Sequence, residues 1–213
     1  MVFYGQSYVV YAVWAVLLCT AGFALYEAEW TLMIIALGTL LASLVPAFVA
    51  DRLHIRIPMG FYAWIVLFTF GTLFLGEAFD FYERFAWWDV AMHAASAMGF
   101  GLMGVVFALT LFEGDKYAAP AWAISIIAFS FALAIGTLWE VFEFAMDTLL
   151  GLNMQKSGLL DTMGDLIVDT IGAAIGALAG FAYLKGRERW GLSGMIAEFV
   201  RRNREMFRKA PKD

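Results

Sequence analysis

Cysteine is almost absent. Cys19 is the single one in 213 residues, which excludes a disulfide framework and reads as a small buried side chain within an apolar run. Charge is scarce too: 15% of residues are charged, where a soluble domain averages about 25%. The net charge of −5 argues against a nucleic-acid partner. No low-complexity tract interrupts the chain, and Pro46, Pro58 and Pro120 end apolar runs or kink one. What fills the space is apolar: 62% of residues are hydrophobic and the mean hydropathy is +0.76.

The apolar residues come in blocks of roughly 18–25, the length that crosses about 30 Å of hydrocarbon. Six spans follow: Tyr8–Leu25, Thr31–Ala50, Met59–Gly76, Val90–Leu111, Ala121–Asp147 and Asp161–Leu184. No basic residue precedes the first span and no A-x-A site follows it, so it reads as a span and not as a cleaved signal peptide. The expected fold is an all-α, polytopic membrane bundle of six transmembrane helices. A single transmembrane domain, 1–190, is followed by a basic amphipathic tail, 191–213.

Lysine and arginine set the orientation. Arg52, Arg56, Lys116 and the basic residues of the tail (Lys185, Arg187, Arg189, Arg201, Arg202, Arg204, Arg208, Lys209 and Lys212) share one side of a six-span topology. Only Arg84 and Lys156 fall on the other. Both termini are therefore expected in the cytoplasm of a cell with a multi-pass inner-membrane protein. In the tail, Ile196, Phe199, Val200 and Phe207 share one helical face opposite a basic one, the pattern of an interfacial helix on an anionic leaflet. Trp30, Trp87, Trp88 and Trp139 gather near the outer interface, and Trp64, Trp122 and Trp190 near the inner one, as an aromatic belt requires. His54, between Arg52 and Arg56, reads as solvated.

The acids do not follow the bases. Most of the 19 lie on the outer side, several within spans. A rise of about 1.5 Å per residue puts Glu77, His93, Glu140 and Asp165 at about 27–28 Å from their cytoplasmic ends, with Asp169 a turn deeper. Asp89 and His93 are four apart and stack on one face, with Ser96 continuing the stripe. Glu140, Glu143 and Asp147 share a second face. Asp161, Asp165 and Asp169 form a third row, which continues as Gly172, Gly176 and Gly180, a small-residue seam that admits a neighbouring helix. The acid ladder is thus expected to point into the bundle.

A charge at mid-membrane costs about 2.5–3.5 kcal/mol on insertion scales, and stacked aspartates repel. Two remedies exist: protons on some carboxylates, or a cation among them. With so few protein cations on that side, a divalent ion is the economical answer. Glu140, Glu143, Asp161, Asp165 and Asp169 are the expected ligands, with Glu77 and Asp147 as additional candidates. His93, oriented by Asp89, is the expected acid–base group. Oxygen-rich ligation favours Mg²⁺, Mn²⁺ or Ca²⁺, with Zn²⁺ or iron as alternatives. Simpler readings stand beside these: Asp161 as a helix N-cap, and Glu143 and Asp147 as solvated groups at a helix end.

The ordered set D-x3-H (Asp89, His93), W-E-x2-E-F (Trp139–Phe144), Q-x5-D-T-x2-D-L (Gln155–Leu166) and G-A-x2-G (Gly172–Gly176) resembles YjdF-type bacterial inner-membrane proteins. A looser similarity reaches VanZ-like proteins, which carry glutamine at the position of Glu143 and asparagine at that of Asp169. The resemblance implies an α-helical membrane protein and no settled reaction.

Three functions are compatible with this pattern. The first is a metal-dependent hydrolase or phosphotransferase acting on a lipid or lipid-linked phosphate. The second is a cation- or proton-coupled transporter, which needs either a polar route across the membrane or a shared pore in a homo-oligomer. The third is a non-catalytic envelope protein that binds lipid or ligand. Membrane lipids are the expected surroundings of all three.

Overall fold

The computed structural model describes residues 5–112, 119–188 and 191–207. Lys116, Arg189, Trp190, Arg208, Lys209 and Lys212, invoked above for charge and aromatic placement, lie outside the described residues. Among those described, all regular structure is helical.

Six helices are long and apolar enough to cross a membrane: α1 (Tyr8–Tyr26), α2 (Trp30–Arg52), α3 (Met59–Ala78), α5 (Trp88–Leu111), α6 (Ala121–Leu150) and α7 (Leu159–Leu184). A single turn, α4 (Phe81–Arg84), links α3 to α5, and α8 (Gly191–Arg202) follows α7. Each span agrees with its expected boundaries to within about one helical turn. The outward faces carry large apolar side chains such as Phe48, Ile126 and Leu178, all exposed, as a lipid-facing surface requires.

The chain gathers into two compact units, Met1–Trp88 and Asp89–Asp213. In the first, α1, α2 and α3 pack around Val10, Trp14, Leu17, Ala36, Tyr62 and Val66. Polar atoms inside it are paired. The Trp14 indole N–H donates to Ser43 Oγ at 3.0 Å, and the Tyr62 hydroxyl donates to the Ser43 carbonyl at 3.0 Å. Pro46 lies inside α2, while Pro58 and Pro120 stand immediately before α3 and α6, where a missing N–H costs nothing.

Two local features depart from expectation. Cys19 is exposed on α1 and not buried; in a membrane span its small apolar thiol needs no protein partner. The second half of α3, Phe70–Ala78, is a π-helix, wider than α by one residue per hydrogen-bonded turn. Its Gly71 carbonyl accepts the Trp88 indole N–H at 3.3 Å, and a methyl group at Gly76 would strike the ring of Tyr82.

In the second unit, α5 and α7 cross at glycine. A methyl placed on Gly176 would lie 2.8 Å from the Gly101 Cα, and one on Gly172 would lie 2.8 Å from Ala97 Cβ. Gly104 meets α6 in the same way, 2.8 Å from the Ala128 Cα. The Gly172–Gly176–Gly180 seam therefore brings backbones together, as small residues do in membrane bundles. Below α7 the chain turns at Gly186 (φ 78°) into α8, whose Ile196 is fully buried. The apolar face of α8 thus covers protein as well as any membrane surface, because α8 packs on α7.

Candidate metal centre

The site forms where α5 and α7 begin and α6 approaches its end. Both α5 and α7 open with an acid in the first turn, Asp89 and Asp161, where the positive end of the helix dipole favours negative charge. That support fades within a turn and does not reach Asp165 or Asp169. The N-cap of α7 is Gly158 (φ 64°), so Asp161 stands at the third helical position and is not the cap. Its carboxylate faces Lys156.

Three helices aim their acids inward. His93 is 7% exposed, Glu140 4%, Asp165 4% and Asp169 1%, and Glu143 is also buried. His93 is the hub. Its Nδ1 lies 3.3 Å from Asp169 Oδ1, while Nε2 lies 3.9 Å from Asp89 Oδ1 and 3.8 Å from Glu140 Oε1. One ligand atom from each of Asp89, His93 and Asp165 falls within a 4.8 Å set. A histidine sequence-adjacent to one acid thus meets acids from all three helices.

Four oxygens here are buried without a hydrogen-bond partner: Glu140 Oε1, Glu140 Oε2, Asp165 Oδ2 and Asp169 Oδ2. Thr162 lies beside Glu140; its hydroxyl oxygen accepts the Gln155 side-chain amide at 2.6 Å, which leaves its O–H proton on the side of a carboxylate neighbour. Leaving a buried polar atom unpaired costs about 1–3 kcal/mol, and more where it is charged. All four lie on the residues gathered around His93.

Other expected residues fall outside this knot. Asp147 accepts the backbone N–H groups of Met154 and Gln155 at 2.7 and 2.8 Å, so both of its oxygens brace the α6–α7 loop. Glu77 belongs to the first unit and is exposed on the π-helical turn. Ser96 donates to the His93 carbonyl at 2.9 Å, turned back on its own helix.

Two further residues support the centre. Trp139, counted with the aromatic belt, donates its indole N–H to Glu143 Oε1 at 2.8 Å and holds that carboxylate in place. Gly136 backs Asp169: a methyl there would collide with the carboxylate, whose Cγ lies 2.8 Å from the ideal Cβ position. The signal for Gly136 was available, because it stands four residues before Glu140 on the same helical face.

An uncharacterized protein of Thermotoga maritima is 29% identical over 116 residues, which is 54% of this chain and 59% of its own length. The chain therefore spans less than two thirds of that relative. No solved structure matches. The model of a family described as predicted membrane proteins matches residues 6–186, which takes in the six apolar helices and every carboxylate of the centre. The chain belongs to that family, DUF2238.

Proposed function

We propose that the second unit is a divalent-metal site of a membrane-embedded enzyme, a hydrolase or phosphotransferase acting on a lipid or lipid-linked phosphate. The observation that carries the metal is the set of buried carboxylate oxygens without partners beside His93: both of Glu140 and one of Asp165. A divalent ion would neutralise them at once. Glu140, Asp165 and Asp89 offer ligand atoms, with Asp161 and Glu143 at the margin. A bound divalent ion would supply Lewis acidity toward a phosphoryl oxygen and a more acidic water.

Placement favours chemistry over passage. From Gly172 to Gly180 every buried residue of α7 is glycine or alanine, and the contact with Gly101 brings α5 and α7 to backbone distance. This weighs against a cation or proton route between these two helices. The lipid class of substrate rests on the membrane setting of the acids: Leu138, Val141 and Phe142, which flank Glu140 in sequence, are exposed and apolar.

The resemblance to YjdF-type proteins fits a family of predicted membrane proteins, and it extends this reading to a bacterial inner membrane with both termini inside; the VanZ-like similarity finds no support in the comparisons. Metal content of detergent-purified protein, measured by inductively coupled plasma mass spectrometry, tests the site. Stoichiometric metal in the parent and its loss in Asp165→Asn is the expected result. Absence of metal from the parent after exposure to Mg²⁺, Mn²⁺, Ca²⁺ and Zn²⁺ overturns it. Phosphate release from a lipid phosphate in mixed micelles then tests the enzyme. Bound metal without turnover, but with ion flux in liposomes, would move the assignment to transport.

A further inference from the structure

His93 has two ring nitrogens in different surroundings. Nδ1 sits 3.3 Å from Asp169 Oδ1, close enough for a weak hydrogen bond. Nε2 faces Glu140 Oε1 and Asp89 Oδ1 at 3.8 and 3.9 Å, too far to bond either. Metal–ligand bonds of about 2.0–2.2 Å put two ligand atoms of one ion roughly 3–4 Å apart, so these separations suit an ion shared by nitrogen and carboxylates.

Asp169 is committed elsewhere. Its Oδ1 faces His93, and its other oxygen is walled in by Gly136 on α6. It is 1% exposed, the most enclosed acid of the centre. Glu140, by contrast, has both oxygens buried and unpaired, and Asp165 has one.

Resting on the metal reading above, the geometry points to a transition-metal centre in which His93 Nε2 is a direct ligand beside Asp89, Glu140 and Asp165, and Asp169 is a positioning residue that holds the imidazole through Nδ1–H. A carboxylate on the far nitrogen of a metal-bound histidine fixes its tautomer and orientation and raises its basicity. One imidazole with carboxylates shifts preference from Mg²⁺ and Ca²⁺ toward Mn²⁺, Fe²⁺ or Zn²⁺.

The test loads the full-length, detergent-solubilised protein with Mn²⁺ and records electron spin echo envelope modulation. Modulation from one directly bound ¹⁴N is expected in the parent, and its loss in His93→Gln. Asp169→Asn should keep the ¹⁴N signal while Mn²⁺ affinity falls by about 10–100-fold. Bound Mn²⁺ without ¹⁴N modulation in the parent overturns the inference and leaves the metal site standing. Equal, complete loss of Mn²⁺ in Asp169→Asn and Asp165→Asn, with both variants folded, makes Asp169 a ligand and overturns its positioning role. Displacement of Mn²⁺ by an excess of Mg²⁺ overturns the selectivity. Failure of every ion to bind the parent removes the underlying reading as well.

Discussion

Two stretches of this chain look alike and end differently. EAFDF, Glu77–Phe81, and EVFEF, Glu140–Phe144, both close a long apolar helix. In the first, the helix has widened to a π-helix, Glu77 is exposed, and Asp80 takes a left-handed conformation (φ 55°) that ends it. In the second, the α-helix runs on to Leu150, and Glu140 and Glu143 turn inward together at a spacing of three. The acids are the same; the neighbours differ. α6 meets α5 at backbone distance where Gly104 faces Ala128, and the Asp169 carboxylate of α7 lies against Gly136, one turn before Glu140, which is itself buried with its oxygens unpartnered. A carboxylate is enclosed when its helix is closely flanked, not when its local sequence is acidic.

If close flanking is the cause, loosening it should do the most harm. Gly136→Ala forces a methyl into the Asp169 carboxylate. Overpacking of this kind costs about 1–3 kcal/mol, and here it also displaces the group that holds His93. Loss of stoichiometric metal and a lower melting temperature are expected. Gly38→Ala on α2 supplies the comparison: nothing lies within 4 Å of the added methyl, so melting should be unchanged or slightly raised. Equal behaviour of the two variants would break the argument from packing.

Next comes the acid pair itself. Glu140→Gln should abolish the metal-dependent rise in melting temperature, whereas Glu77→Gln should leave it intact. The rise in the parent measures affinity, about 2.7 kcal/mol at a metal concentration of 100 times the dissociation constant. Because ligands must shed protons to bind, that rise should shrink as pH is lowered in the parent and in Glu77→Gln alike. Metal-dependent stabilisation in Glu140→Gln would remove the distinction between the two stretches.

The architecture was legible because lipid leaves few choices. A run such as Ala121–Leu150 must be helical to satisfy its backbone, and hydropathy alone locates it. The inward rows were legible too, since His93, Asp165 and Asp169 follow helical spacing and the glycines continue it. What could not be read was lateral. Helical spacing says which residues share a face, but not which helix that face meets. Asp89 was expected to orient His93 because it is four residues away; the nitrogen it faces proves to be Nε2, and Asp169, 76 residues away, takes Nδ1. The cap reading set beside a ligand role for Asp161 does not hold, because Gly158, with its positive φ, ends the loop first. Asp147 lies on the same face as Glu140 and Glu143 but one turn higher, where loop N–H groups reach it before any ion could. The π-helix of α3 has no counterpart in apolar periodicity.

The smallest expected effect refines the comparison at its edge. Glu143 differs from Glu140 in having a partner, the Trp139 indole N–H at 2.8 Å. Trp139→Phe keeps the ring and removes that donor. A hydrogen bond to a charged group contributes about 1.5–3 kcal/mol when both partners are buried, and less here because the indole is half exposed. If Glu143 only borders the metal, the variant should bind with affinity reduced by less than about tenfold, below the usual span for a group that orients a ligand. Isothermal titration of the purified variant reads this directly. A loss as large as that of Glu140→Gln would place Glu143 among the ligands and make Trp139 its positioning residue. The buried acids of α6 would then act as a pair, which the lone, exposed Glu77 cannot imitate.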